Sequence, residues 1–196
     1  MTRFLEDAIA RVGLMPVLEA RRAGDLDTVR AGLAALRSAD LLALGAIADL
    51  LRNEEIGDEV RIHEEGEEAG VVWVTAPLGA TDLDVLREAA ITRIASAKGA
   101  RTGIDWSRHG YELAQVALGF GVTDLRGSLM RKSGLPIYDD EVAKVKGEGM
   151  VDLKSLKKRE LAKLVTHAGR VAVFVDPERA ARASAPMTTT SEAPRA

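Results

Sequence analysis

The sequence predicts a helix-rich α/β fold with an open sheet, and three observations lead there. Residues 111–127, YELAQVALGFGVTDLRG, place Leu113, Val116, Ala117 and Phe120 at i, i+3, i+4 and i+7, the stripe of a helix. Gly119 and Gly121 are suited to end that helix, and residues 122–125 follow as a short strand. Residues 155–175 repeat the arrangement: Leu161, Leu164, Val165 and Ala168 form a stripe, Gly169 is the expected C-cap, and residues 170–175 are β-rich. The N-terminal residues, by contrast, show helical periodicity alone.

The elements follow in order. Residues 2–12 suit a helix with Phe4, Leu5, Ala8, Ile9 and Val12 on one side, interrupted by Gly13 and Pro16. Residues 17–23 suit another turn or two, stopped at Gly24. Asp25 is a good N-cap for a helix carrying Leu26, Val29, Leu33 and Leu36. Ser38 is placed to cap a longer helix over 39–53, with Leu41, Leu44, Ile47, Ala48 and Leu51 inward. Residues 60–62 and 71–75 are β-rich and flank Glu64-Glu65-Gly66-Glu67-Glu68-Ala69-Gly70, which reads as a hairpin with an acidic tip. Four glutamates in that tip are either a solvated loop or a weak cation site, and adjacent glutamates mostly point apart. Thr81 caps a helix with Leu83, Leu86, Ala90 and Ile94 on one face, closed by Gly99. Residues 101–104 form a strand that ends at Trp106. Residues 133–151 read as loop, and Gly147-Glu148-Gly149 lacks the remaining glycine and the strand of a phosphate loop. Residues 178–196 are rich in Ala, Ser, Thr and Pro without periodicity, and disorder is expected there.

Composition narrows the classes of function. The 196 residues are 46% hydrophobic and 29% charged, enough for one domain with a real core. Net charge is −3 without a basic block, which argues against nucleic acid. There are no cysteines, so disulfides, thiolate zinc sites and ordinary iron–sulfur ligation are excluded. Glu6 and Asp7 stand where the apolar core of a secretory leader would begin. No apolar run approaches the roughly 20 residues of a membrane span. A cytoplasmic protein with no membrane partner is expected.

Four segments carry a resemblance to a known family: AGDLDTVRAGLAALRSADLLALGAIADLLRNEEIGDEV, TDLDVLREAAITRIASAKGARTGIDWSRHG, AQVALGFGVTDLRGS and KKRELAKLVTHAGRVAVFVD. In this order they resemble the radical S-adenosylmethionine enzymes of the futalosine route to menaquinone, aminofutalosine synthase and the dehypoxanthine futalosine cyclase. The resemblance covers residues 23–62 and 81–176. Gly57-Asp58-Glu59-Val60 is similar to the turn by which those enzymes enter their first barrel strand. The sequence then departs: RIHEEGEEAGVVWVTAPLG replaces the Asn-rich strand and the cysteine loop. Met130, Arg131 and Lys132 stand where the family has acidic residues. Ala172 replaces a family proline and Val175 an arginine.

The resemblance implies a partial (β/α)-barrel remnant. A closed barrel needs about 200 residues or more, and a helical cap and a tail leave too few. The expected organisation is a helical cap over 1–56, a partial barrel-like α/β core over 57–176 and a disordered tail over 177–196. It also implies a non-catalytic, radical-SAM-like paralogue without an iron–sulfur cluster, acting as a binding or partner subunit related to menaquinone biosynthesis. The partner is a second copy or a full-length radical SAM relative, because an open sheet has edges to cover. The alternative is a cluster-independent binder or enzyme for a nucleoside-like small molecule, using a strand-end pocket near Trp106. No cofactor, metal ligand or catalytic residue is expected. His63, His109 and His167 share no metal spacing, and no serine sits in a nucleophile elbow. The candidate ligand-binding residues are Trp106, His109, Asp124, Arg126 and Ser128. The structural alternatives are helix–sheet packing for Trp106, an ordinary surface or capping residue for His109, and a local ion pair for Asp124 with Arg126.

Overall fold

The computed structural model describes residues 2–64, 70–129 and 158–175. Five helices lead the chain: α1 (Thr2–Arg11), α2 (Met15–Ala23), α3 (Leu26–Ala31), α4 (Leu33–Ser38) and α5 (Leu41–Glu55). Then come β1 (Glu59–His63), β2 (Val71–Trp73), α6 (Asp82–Ala95), β3 (Arg101–Asp105), α7 (Trp106–His109) and α8 (Tyr111–Ala117). A 3-10 turn (Leu118–Phe120) leads to β4 (Asp124–Arg126), and α9 (Lys158–His167) precedes β5 (Val171–Phe174). The protein is α/β with an open five-stranded sheet in the order β2-β3-β4-β1-β5. Every pairing is parallel.

Local signals place several helices where the sequence puts them. The Asp25 carboxylate accepts from Thr28 N–H at 3.0 Å and starts α3. Thr81 and Asp84 form a reciprocal capping box at the start of α6. Gly24 and Gly169 take positive φ where helices end. Other positions differ. α5 is capped by Asp40, whose carboxylate accepts from Ala43 N–H at 2.9 Å, whereas the Ser38 hydroxyl donates back to Ala35 O. α6 ends at Ala95 and Ser96, ahead of Gly99, and its Leu83 faces solvent. After α8 the backbone tightens into the 3-10 turn, which rotates the stripe. Ala114, Ala117 and Leu118 are buried while Val116 is exposed. Gly121, not Gly119, takes the left-handed conformation, and a Cβ there would overlap Arg93 and Ala48.

The expected hairpin does not form. β1 and β2 run in the same direction and are separated by β3 and β4. Both edges of β1 are taken by β4 and β5, so β2 pairs with β3 instead. The acidic-tip residues 65–69 lie outside the described residues. So do Met130, Arg131 and Lys132, the loop over 133–151 and the tail.

α5 is the central helix. Leu44, Ile47, Ala48 and Leu51 are fully buried, and α5 packs along α6. Ile9, Leu18, Val29 and Leu36 add the layer from α1 to α4. The sheet contributes Val60, Ile62, Ile104 and Leu125 to the same core, with Ala172 and Phe174 against it. These residues share one sheet face, because side chains alternate along a strand and paired residues of a parallel ladder point the same way. The Phe120 ring lies on α5 at Gly45, where a Cβ would come within 2.8 Å of it. Gly45→Ala is expected to destabilise by about 1–3 kcal/mol through overpacking, against the roughly 1 kcal/mol that alanine gains in a helix. Urea unfolding of Gly45→Ala, Phe120→Leu and the double variant checks this: the double variant should be more stable than the sum of the single effects.

Candidate functional site at the carboxyl ends of the strands

The face of the sheet turned away from the apolar core is polar. One row across it reads Trp73, Gly103, Asp124, Arg61 and Val173. The next row, at the carboxyl ends, reads Asp105, Arg126 and His63. Open parallel sheets bind ligands at those ends.

Asp124 is the centre of this face and is fully buried. Its carboxylate accepts from Arg101 Nε at 2.7 Å and lies 2.6 Å from His63 Nε2. Thr123 Oγ1 is 2.6 Å from the same group. Arg101 also donates to Thr123 O at 3.0 Å and Glu59 O at 3.3 Å. A carboxylate removed from water needs such charged and hydrogen-bonded partners. Above it, Arg126 donates to Asp105 at 3.3 Å, and its guanidinium lies 4.2 Å from the centre of the Trp73 ring. The Trp73 ring crosses Gly103, where a Cβ would overlap it, and meets His63 edge-on at 5.8 Å. Strands β1 to β4 therefore each contribute to one connected cluster.

The ends of β3 and β4 are stitched together. Asp105 caps α7 by accepting from Ser107 N–H at 2.9 Å while holding Arg126. Ser128 N–H donates to Ser107 Oγ at 2.9 Å. The Trp106 ring packs against Gly127, where a Cβ would overlap it. Beside this junction a cleft of about 480 Å³ opens between the start of α6 and the α7–α8 pair, lined by Asp82, Trp106, His109, Tyr111, Leu113 and Val116 among others.

The five candidate residues thus fall into two places. Trp106, Arg126 and Ser128 meet at the ends of β3 and β4, with Asp124 one pleat below Arg126 on the polar face. His109 belongs to the cleft, which it shares with Trp106. Asp124 and Arg126 do not pair with each other. Asp124 is neutralised by Arg101, and Arg126 by Asp105. Trp106 is a core side chain, 1% exposed, that also walls the cleft. His63, Trp73, Arg101 and Asp105 also belong to the polar cluster. Alternation along β3 could have placed Arg101 and Asp105 on one face, but nothing local in the sequence joins His63 to Asp124. Among the described residues no group of three or more His, Asp or Glu is arranged to hold a metal ion. No described helix is long and apolar enough to cross a membrane.

Asp124→Ala should lower the unfolding free energy by about 3–5 kcal/mol, since it removes the buried carboxylate that both Arg101 and His63 face. Arg61→Ala on the same face, half exposed, should cost no more than about 1 kcal/mol. Equilibrium urea unfolding separates the two. The His109 ring is held below the ordinary histidine range of about 6.5, by burial first and then by Arg108. The unfolded chain therefore takes up this proton at higher pH than the folded one. The contribution to stability is complete above about pH 6.5 and is lost as pH falls through the folded-state value. NMR titration of the ring should show the low midpoint, and His109→Gln should flatten this part of the stability profile.

No family model matches the chain and no curated protein matches it, so what the site does is read from its geometry.

Proposed function

We propose that the chain is a non-catalytic binding or partner subunit built on part of a (β/α) barrel. In this reading it is related to the radical S-adenosylmethionine enzymes of menaquinone biosynthesis. The observation that carries the reading is the place of β1 in an all-parallel sheet, between β4 and β5. In a closed barrel the first strand pairs with the last. Here the first strand lies between β4 and β5, the last two described strands. The polar face, turned away from the helices, corresponds to a barrel's inner wall. The absence of cysteine removes the usual cluster ligands and favours binding over radical chemistry. Among the described residues β2 and β5 are edge strands, which fits a contact with a second copy or with a full-length relative.

The test is co-purification from cells that also make a full-length, cysteine-bearing enzyme of this type. A complex of fixed stoichiometry, recovered with either chain tagged, is the expected result. Failure to pair in both directions overturns the reading. A second reading, a small-molecule binder of nucleoside-like chemistry, is favoured by one observation: the cleft of about 480 Å³ walled by Trp106 and His109.

A further inference from the structure

The outer edge of β5 is open. Val171 N–H donates to Asp58 O and Val175 N–H to Ile62 O, both at 2.9 Å. Main-chain groups turn to alternate sides along a strand. Val171, Val173 and Val175 therefore bond to β1, and the N–H and C=O of Ala172 and Phe174 point outward. Among the described residues no main-chain group bonds to them there. Natural edges are guarded by lysine, proline, a bulge or a covering element. Residues 171–175 read VAVFV, with neither charge nor proline. The ladder runs without a bulge from Glu59–Val171 to Ile62–Phe174. Val171 is 60% and Val173 37% exposed, and both stand on the polar face of the sheet. The other edge strand, β2, is shorter at three residues. Its outward Trp73 C=O already accepts from Thr75 Oγ1 at 3.4 Å.

We propose that β5 pairs antiparallel with β5 of a second copy, about a two-fold axis at Val173, so that two sheets become one. The inference rests on the partner-subunit reading and names the edge, the occupant and the register. A second copy necessarily presents the same open edge, and a two-fold axis sets the two strands antiparallel. The register centred on Val173 uses both outward residues. Ala172 exchanges N–H to C=O bonds with Phe174 of the other copy, and Phe174 does so with its Ala172. A large side chain then meets a small one on the face that packs against the core. On the polar face Val173 opposes Val173, and Val171 opposes Val175. Opposed β-branched residues favour pairing, and no like charges meet across the axis.

The chain has no cysteine, so single introduced cysteines report the contact without background. Light scattering gives the mass of the full, unsubstituted chain at micromolar concentration, and Val171→Cys, Val173→Cys and Val175→Cys are oxidised under the same conditions. Opposed residues of a non-hydrogen-bonded pair lie about 4.5 Å apart at Cα, within the roughly 4.4–6.8 Å that a disulfide spans. The two copies of residue 171 would stand about 14 Å apart. The expected result is a mass twice that of one chain. Val173→Cys should cross-link to itself about tenfold faster than the more exposed Val171→Cys, whose sulfurs are out of reach. Val171→Cys mixed with Val175→Cys should cross-link as a mixed pair. Val173→Lys, which sets two like charges face to face, should give the mass of one chain with an unchanged circular dichroism spectrum. A doubled mass with cross-linking as fast at 171 as at 173 overturns the β5 pairing and leaves a second copy as partner. Single-chain mass together with capture of a full-length, cysteine-bearing relative overturns this inference alone. Single-chain mass without such capture overturns the partner reading as well.

Discussion

A single carboxylate, that of Glu55, holds together parts of the chain that are far apart in sequence. It stands at the last residue of α5 and is almost fully enclosed. Arg21 of α2 reaches it at 3.1 Å and Arg93 of α6 at 2.8 Å, and both guanidinium groups are buried. The N–H of Gly99, just before β3, donates to the same group at 2.8 Å. A negative charge at a helix carboxyl end opposes the helix dipole, so the two cations more than offset that penalty. Neither arginine can leave without stranding charge in a dry interior, and burial already lowers the Arg93 guanidinium to about 10. The N-terminal helices are thus bound to α6 by charge as well as by packing. Because β1 follows α5 and β3 follows α6, this anchor also fixes where two strands begin.

A second set of ion pairs acts beside it. Arg170, just ahead of β5, reaches Asp49 of α5 at 2.7 Å and Asp58 at 3.6 Å. Arg52 contacts the same two carboxylates. The end of the sheet near Glu55 is therefore closed by structural charge; Arg101 and Asp124, the first residues of β3 and β4, stand on the polar face above it, and the opposite end carries Asp105, Arg126, His63 and the cleft. This division follows the general asymmetry of parallel α/β sheets, in which one end is structural and the other meets ligands. The Asp124 cluster also specifies pairing. Its partners sit on β1 and β3, and a shift of β4 by one residue would turn the carboxylate into the apolar core.

What the sequence disclosed, and what it hid, follows from the range of each interaction. Asp25 and Thr81 were legible as caps because a cap is settled within three residues. The apolar stripes of α5 and α6 were legible because burial on one face leaves a period of 3.6. Ser38 and Asp40 are both good caps two residues apart, and only the reach of the carboxylate to Ala43 N–H decides between them. The false hairpin has a similar origin. Two short β-rich runs joined by a polar loop look alike whether they pair with each other or with strands elsewhere. The strand-end placement of Trp106, Arg126 and Ser128 came from local order, helix after strand. The partners of Asp124 did not, since Arg101 and His63 reach it only through the order of the sheet.

The position of β5 bears on how the chain folds. It is the last described element, yet it forms parallel ladder bonds with β1, which follows directly after the first five helices. Closing a loop of that length is costly in entropy before any contact repays it, and folds dominated by such distant pairings assemble slowly. During synthesis the β5 side of β1 waits for its partner until residues 171–174 have emerged. Through that interval the β5 side of β1 is an open strand edge, a template for pairing with other chains.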